Sequence, residues 1–232
     1  MRQKYLFALL VIIAMLANVI GIFNDNFWLS SSSELFFIVP LILYYFKELP
    51  LNNLNFYTFL VCIISANTLG LINGVWFLNY IILGLWLAAY IFLVREAIRH
   101  TEYERGSKLM TLYFVIVVAV YTYLLSLHIL ELERSLNDGL ELSFYLVYYL
   151  NILILAITAL IYYLNSFSRK SVFFMCLAIS FIFSDVLRDM EVFYFPDLSV
   201  EIVGSLIRFA GLKLAFLFFV TREKKLRLLH LV

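Results

Sequence analysis

Charges are scarce in this chain, and so are the residues that break helices. Of 232 residues only 14% are Asp, Glu, Lys or Arg, and there are three prolines and eight glycines. The other side of that scarcity is a 64% hydrophobic content with a mean hydropathy of +0.96. A soluble domain of this length exposes too much of its surface to hide so much apolar material, so a water-soluble fold is excluded. The apolar runs are continuous and lack the apolar/polar alternation of a transmembrane barrel, which leaves helices as the spanning structure. Cysteine is nearly absent: Cys62 and Cys176 each lie deep in an apolar run without metal-ligand spacing and read as packing residues. Three histidines, at 100, 128 and 230, show no HxxxH spacing, so neither a metal site nor a cofactor is expected. A formal charge of +1 offers nothing to phosphate backbones, and nucleic acid is not an expected partner.

What is present is a series of long apolar segments. Eight spans can be drawn, at about 5–23, 34–47, 55–75, 76–94, 109–128, 143–164, 171–191 and 200–221, giving an all-α, single-domain bundle of eight transmembrane helices. The opening "MRQKYLFALLVIIAMLANVIGIF" has the charged start of a signal peptide, but its apolar part is long enough to cross a ~30 Å core and no small-x-small cleavage site follows. It reads as the first helix. The second span is short and holds Pro40, so a kink or an extension into "SSSSE" is expected. The third and fourth spans are separated by "NGVW", a tight turn at Gly74, and "GLING" from Gly70 to Gly74 is a GxxxG pattern of close helix packing.

Charge sets the orientation. With the N-terminus inside, Arg2, Lys4, Lys47, Arg95, Arg99, Arg105, Lys108, Arg169, Lys170, Arg222, Lys224, Lys225 and Arg227 fall on the cytoplasmic side, 13 of the 17 basic residues. Only Arg134 and Arg188 fall outside, beside Asp25, Glu131, Glu133, Asp138, Glu141 and Asp197. The positive-inside rule therefore places both termini in the cytoplasm, in a multi-pass protein of the plasma (inner) membrane.

An ionisable residue inside a span is costly and marks a functional site by default. Within the spans stand Asn18, Asn67, His128, Asn151, Asp185, Arg208 and Lys213. Asn18 and His128, near helix ends, read as interfacial or interhelical hydrogen bonders. Asn151 ends "FYLVYYLN", whose phenols, Tyr149 among them, could bond it or line a cavity. Asp185 is 11 residues before Pro196 and Arg208 is 12 after it. At 1.5 Å per residue both then lie about 17 Å from the turn, which predicts an ion pair. Lys213, deeper still, points back along its helix toward Asp185 and is expected to bridge part of the gap. Arg188, Asp189 and Glu191 read as solvated charges near the outer surface.

The stretch "LAISFIFSDVLRDMEVFYF" resembles the signature of the YhhN-like, or lysoplasmalogenase, membrane family, with Ala178, Phe181, Ser184, Asp185 and Phe193 at the family's spacing. "YLVYYLNILILAITA" resembles the family's preceding helix, and eight spans is its count. The resemblance implies hydrolysis of the vinyl-ether bond of a lysoplasmalogen, with release of a fatty aldehyde. It also implies a second Asp in a G-D pair on the third helix and a His on the fourth. Here Ala66 and Asn67 stand where G-D is expected, and "YIILGLWLAAYIFLV" has no His. Vinyl-ether hydrolysis needs a proton delivered to carbon and water delivered to the oxocarbenium, work suited to two carboxyl groups. Asp185 and Asn67, at similar depths, are therefore expected to face each other across a polar cavity between the third, seventh and eighth helices, with Ser184, Tyr149, Asn151, Arg208 and Lys213 as binding residues.

Three functions remain open on the sequence. One is a degenerate site that binds a membrane lipid or lysolipid, or serves as a subunit beside other membrane proteins, with little catalysis. Another is an active vinyl-ether hydrolase working through Asp185. The third is a retinal-type protein linked through Lys213 with Asp185 as counter-ion.

Overall fold

The computed structural model describes residues 2–45, 53–72, 76–101, 108–135, 139–166, 168–194 and 196–223. These form eight helices and no strand among the described residues: α1 (Arg2–Phe23), α2 (Phe27–Tyr45), α3 (Leu54–Gly70), α4 (Trp76–His100), α5 (Lys108–Ser135), α6 (Gly139–Ser166), α7 (Arg169–Phe193) and α8 (Leu198–Val220). Seven are long and apolar enough to cross a membrane, the exception being α3. At 1.5 Å per residue its 17 residues rise about 25 Å, short of a ~30 Å hydrocarbon core.

Most helices outrun the spans drawn from hydropathy. α4 continues to His100 rather than 94, α5 to Ser135 rather than 128, and α6 begins at Gly139 rather than 143. Hydropathy stops at the first charged cluster, whereas the backbone ladder continues because Arg, Glu and Leu are good helix formers. α2 absorbs the whole serine stretch and carries Pro40 inside it, beginning at Phe27 rather than 34. α3 stops at Gly70 instead of running to 75. Leu71 and Ile72 form a turn whose amides donate to Thr68 O at 3.2 Å and Leu69 O at 2.9 Å. The expected turn at Gly74 lies outside the described residues.

Each tight connection has a local cause. After α1 the Asn26 amide donates to Gly21 O at 2.8 Å, and Asp25 takes φ 49°, the left-handed residue that closes a helix C-terminus. Asn53 caps α3 by accepting from the Asn55 amide at 3.0 Å, and Ser168 and Ser171 form a reciprocal capping box on α7. Asp197 caps α8 through the Ser199 amide at 2.8 Å and the Ser199 hydroxyl. Those two donors hold the exposed Asp197 carboxyl below its usual pKa, so this cap is intact at neutral pH and is lost as pH falls through the lowered value.

The closest helix pairs are α1 with α2, α3 with α4, and α7 with α8; α6 packs between α4 and α7, and α8 returns to α1 and α2. The result is a ring closed by α8, with α5 attached from outside against α6. Its core is aromatic: Phe56 of α3 meets Phe216 and Phe219 of α8 at 5.7 and 5.1 Å, and Phe181 of α7 meets Tyr90 of α4 at 5.5 Å.

Small residues set the close crossings. A Cβ at Gly21 would stand 2.5 Å from the backbone N of Ser30, and one at Gly211 would stand 3.0 Å from the Phe181 ring. The GxxxG expectation does not carry over to Gly70, which faces open space, and Gly74 lies outside the described residues. Gly21→Ala is expected to cost about 1–3 kcal/mol, because backbone cannot step aside, while Gly84→Ala, with nothing within 4 Å, should be neutral or stabilising by up to about 1 kcal/mol. Unfolding of the purified variants in a mild detergent would give both values; equal effects would mean the α1–α2 crossing is not set by Gly21.

Candidate functional site

Asp185 is wholly buried on α7, and both of its oxygens are engaged. Oδ2 accepts from the hydroxyls of Tyr90 on α4 and Tyr148 on α6, each at 2.6 Å. Oδ1 accepts from Arg208 Nη2 on α8 at 3.3 Å and lies 3.6 Å from Arg188 Nη1, one turn along α7. One carboxylate thus ties α7 to three other helices, and the depth match between Asp185 and Arg208 corresponds to a direct contact. The two arginines extend the network. Arg208 lies 4.5 Å over the Trp86 ring and 3.6 Å from Glu34 on α2. Arg188 donates from Nε to Asp189 at 3.2 Å and covers the Tyr148 ring.

Several residues read as ordinary belong to this network. Asp189 is buried, not solvated as its position near the helix end suggested. It accepts from the Tyr149 hydroxyl, which spends its only hydrogen there and accepts in turn from His128 Nε2 at 2.7 Å. Glu34, Tyr90, Tyr148 and Trp86 gave no signal of their own in an apolar, aromatic sequence. A second polar centre lies at the opposite end of the bundle. There buried Glu96 accepts from Asn53 and Asn55, each at 2.7 Å, with His100 at 3.1 Å and Lys170 at 3.9 Å. Glu96 lies beyond residue 94, where the hydropathy span ends, and gave no signal of its own.

Three expected placements are corrected. Asn67 is buried on α3 with its Nδ2 unpartnered, and it is not among Asp185's partners, which come from α4, α6, α7 and α8. α3 packs chiefly on α4 and α2, and Asn67 shares its buried face with Phe56, Phe59 and Ile63. Lys213 is exposed on α8 and does not bridge toward Asp185, whose cationic partners are Arg188 and Arg208; the retinal reading loses the lysine–carboxylate pair it needs. Asn151 donates to Leu87 O at 3.0 Å, a weld between α6 and α4, and Asn18 likewise welds α1 to Ser30 O at 3.1 Å and to the Ser205 hydroxyl.

A polar cavity of about 270 Å³ does exist, but between α1, α2, α7 and α8. Arg188, Arg208, Ser184 and Glu34 line it, with Asn18, Ser30, Ser31 and Ser205 among its other polar walls and Glu191 and Glu201 joining them. Neither Asp185 nor Asn67 reaches its surface. Asp185 turns from this wall toward the tyrosines, so it orients the two arginines from behind without meeting the cavity's contents. A second cavity, about 130 Å³ and apolar, lies between α5, α6 and α7, beside Ala156, Ala178 and Tyr121. No group of three or more His, Cys, Asp or Glu among the described residues is placed to hold a metal.

Comparison of the chain with protein-family models, curated proteins and solved structures returns no match.

The network makes a direct prediction. Asp185→Ala leaves two partly buried cations and two buried phenols without this acceptor and is expected to cost about 3–5 kcal/mol. Adding Arg208→Ala should cost less than the sum of the single changes by about 0.5–3 kcal/mol, the coupling of a contacting pair. Additive losses in a double-mutant cycle of detergent unfolding would show that the two side chains do not act together.

Proposed function

We propose that this chain is a multi-pass integral membrane protein of YhhN-like descent that binds a membrane lipid or lysolipid through its head group. In this reading the cavity between α1, α2, α7 and α8 is the binding site, and vinyl-ether hydrolysis is slight or lost. All eight helices cross the plasma (inner) membrane, both termini are cytoplasmic, and the cavity lies in the outer half. The observation that carries the reading is that Asp185 is fully buried and absent from the cavity wall, while the two arginines it positions are on that wall. An acid–base group must come within hydrogen-bond reach of the atom it protonates. Asp185 has both oxygens engaged by four other groups, and Asn67, at the place of the family's second carboxyl, is not on the cavity wall. The arginines, by contrast, are suited to phosphate.

A second reading, membership of a membrane complex, draws on Lys213. It is exposed on α8 seven residues from Val220, about 10 Å along the helix. A partner helix with a carboxylate at that depth would remove its cost.

Two experiments test these readings. Purified wild-type protein should release little or no aldehyde from lysoplasmalogen, and Asn67→Asp should not restore turnover, because position 67 does not reach the cavity. Robust wild-type turnover that survives Asp185→Asn would refute the proposed site. For topology, reporters fused after Lys108 and Lys170 should be cytoplasmic and those within 131–141 external. A cytoplasmic signal from 131–141 would overturn the eight-span orientation.

A further inference from the structure

The charge of the polar cavity is not balanced, and the imbalance has a sign. Its two cations already stand in ion pairs, Arg208 3.3 Å from Asp185 and 3.6 Å from Glu34 and Arg188 3.2 Å from Asp189, although Arg208 Nε is buried without a hydrogen-bond partner. Glu191 and Glu201 also line the cavity and make no ion pair among the described residues. Arg188 acts on Glu191 only from beyond ion-pair distance, and Glu201 lies within electrostatic reach of Glu191 and of Asp25. Two arginines against Asp185, Asp189, Glu34, Glu191 and Glu201 leave a formal excess of three negative charges, and Glu191 and Glu201 are the two carboxylates without an ion pair among the described residues. Independently of charge, Ser184 is 3% exposed, lines the cavity and makes no hydrogen bond among the described residues, which leaves its hydroxyl free as an acceptor at the wall. A serine in a helix usually returns its hydroxyl to the preceding turn, as Ser180 does to Cys176 O at 2.9 Å.

We propose that the cavity is a site for an organic ammonium group, seated between Glu191 and Glu201 at the mouth with Ser184 and Glu34 beyond them. The same chemistry is carried by a free small amine and by the amine of a lipid head group. This rests on the cavity being the binding site, as proposed above, but not on the ligand being a lipid. An ammonium supplies the missing positive charge and donates to carboxylate and hydroxyl acceptors, whereas an anion would meet the unpaired glutamates first. The cavity's volume suits a group of this size, and the Ile22, Phe27 and Val200 side chains give the short carbon stem an apolar wall.

The test uses the full-length chain in lipid nanodiscs at fixed ionic strength, with ethanolammonium chloride as free probe and ethylene glycol as its uncharged counterpart. Lysophosphatidylethanolamine and lysophosphatidylglycerol serve as the lipid pair. Calorimetric titration should show saturable binding of at least one amine probe, at least tenfold tighter than its amine-free counterpart. Glu191→Gln with Glu201→Gln should weaken that binding at least tenfold. Glu201→Lys, which places an ammonium of the protein's own in the cavity, should abolish it, and the probe should raise the melting temperature of the wild type and not of either variant. Binding of ethanolammonium alone identifies a free amine as the source and overturns the lipid reading. Binding of lysophosphatidylethanolamine alone identifies a head group. Equal binding of the two lysolipids leaves lipid binding standing and overturns the ammonium site. Failure of both amines, or amine binding unchanged in folded Glu-to-Gln protein, also overturns it.

Discussion

The carboxylate of Asp185 is the constraint on which the arrangement of the bundle depends. Helices in lipid have no hydrophobic reason to prefer one neighbour over another, because acyl chains are as apolar as leucine, so packing shape and polar contacts must choose. Packing alone is permissive here, since Phe and Leu recur on every face. The four groups around Asp185 are not permissive. Tyr90, Tyr148, Arg188 and Arg208 can meet one carboxylate only when α4, α6, α7 and α8 are rotated so that these side chains point at one another. The glycines make that rotation sterically possible: Gly211 lets α8 lie against Phe181, and Gly204 stands over Leu187, both one turn or less from the clamp.

The second polar centre, around Glu96, repeats the device at the other end with different helices. It joins α3 and α4 through Asn53 and Asn55, and brings in α7 through Lys170. The two centres share α4 and α7: on α7 they grip Lys170 and Asp185, fifteen residues apart, and on α4 Tyr90 and Glu96, both in its C-terminal half. α5 has one such tie, His128 to Tyr149 and through it Asp189, which agrees with its place outside the ring.

What was legible in the sequence was depth, and what was not was azimuth. Counting residues from Pro196 put Asp185 and Arg208 at one level, because rise per residue is fixed, and they touch. The same counting put Asn67 level with Asp185, but Asn67 makes no hydrogen bond to it and does not line the polar cavity, because depth says nothing about the face on which a side chain stands. Facing is read from apolar periodicity, and a helix apolar all round carries almost none. Lys213 failed for that reason too: its level was right for a bridge and its face was wrong. Tyr90 and Tyr148 were hidden differently, since a tyrosine in an aromatic-rich span counts as apolar until its hydroxyl finds a partner. Asp189 was discounted because a charge near a span end is ordinarily solvated, and only the packing of neighbouring helices shows that it is not. The eight helices of the described residues were legible, since continuous apolar length needs no facing information, but only seven of them have the length and apolarity to cross a membrane.

The two cavities show that the polar one is not incidental. Imperfect packing in a chain this apolar leaves voids with apolar walls, as between α5, α6 and α7, where Ala156, Ala159 and Ala178 are too small to fill the space. A void of that origin between α1, α2, α7 and α8 would be lined from the same pool of Leu, Ile and Phe. Its walls instead gather four serines, an asparagine, three glutamates and two arginines, in a protein with 14% charged residues. Asn18, Ser30 and Ser205 bond one another across the wall and hold it open without filling it. Keeping so many polar groups together in membrane surroundings has a free-energy cost that closing the gap with apolar side chains would avoid. The fold meets that cost with the Asp185 clamp directly behind the cavity, whose arginines form part of its wall. A clamp serving only to join helices would need Asp185, Tyr90, Tyr148 and one arginine. Glu191, Glu201 and Ser184 add nothing to it, and their presence on the same wall is what the proposed ammonium site would account for.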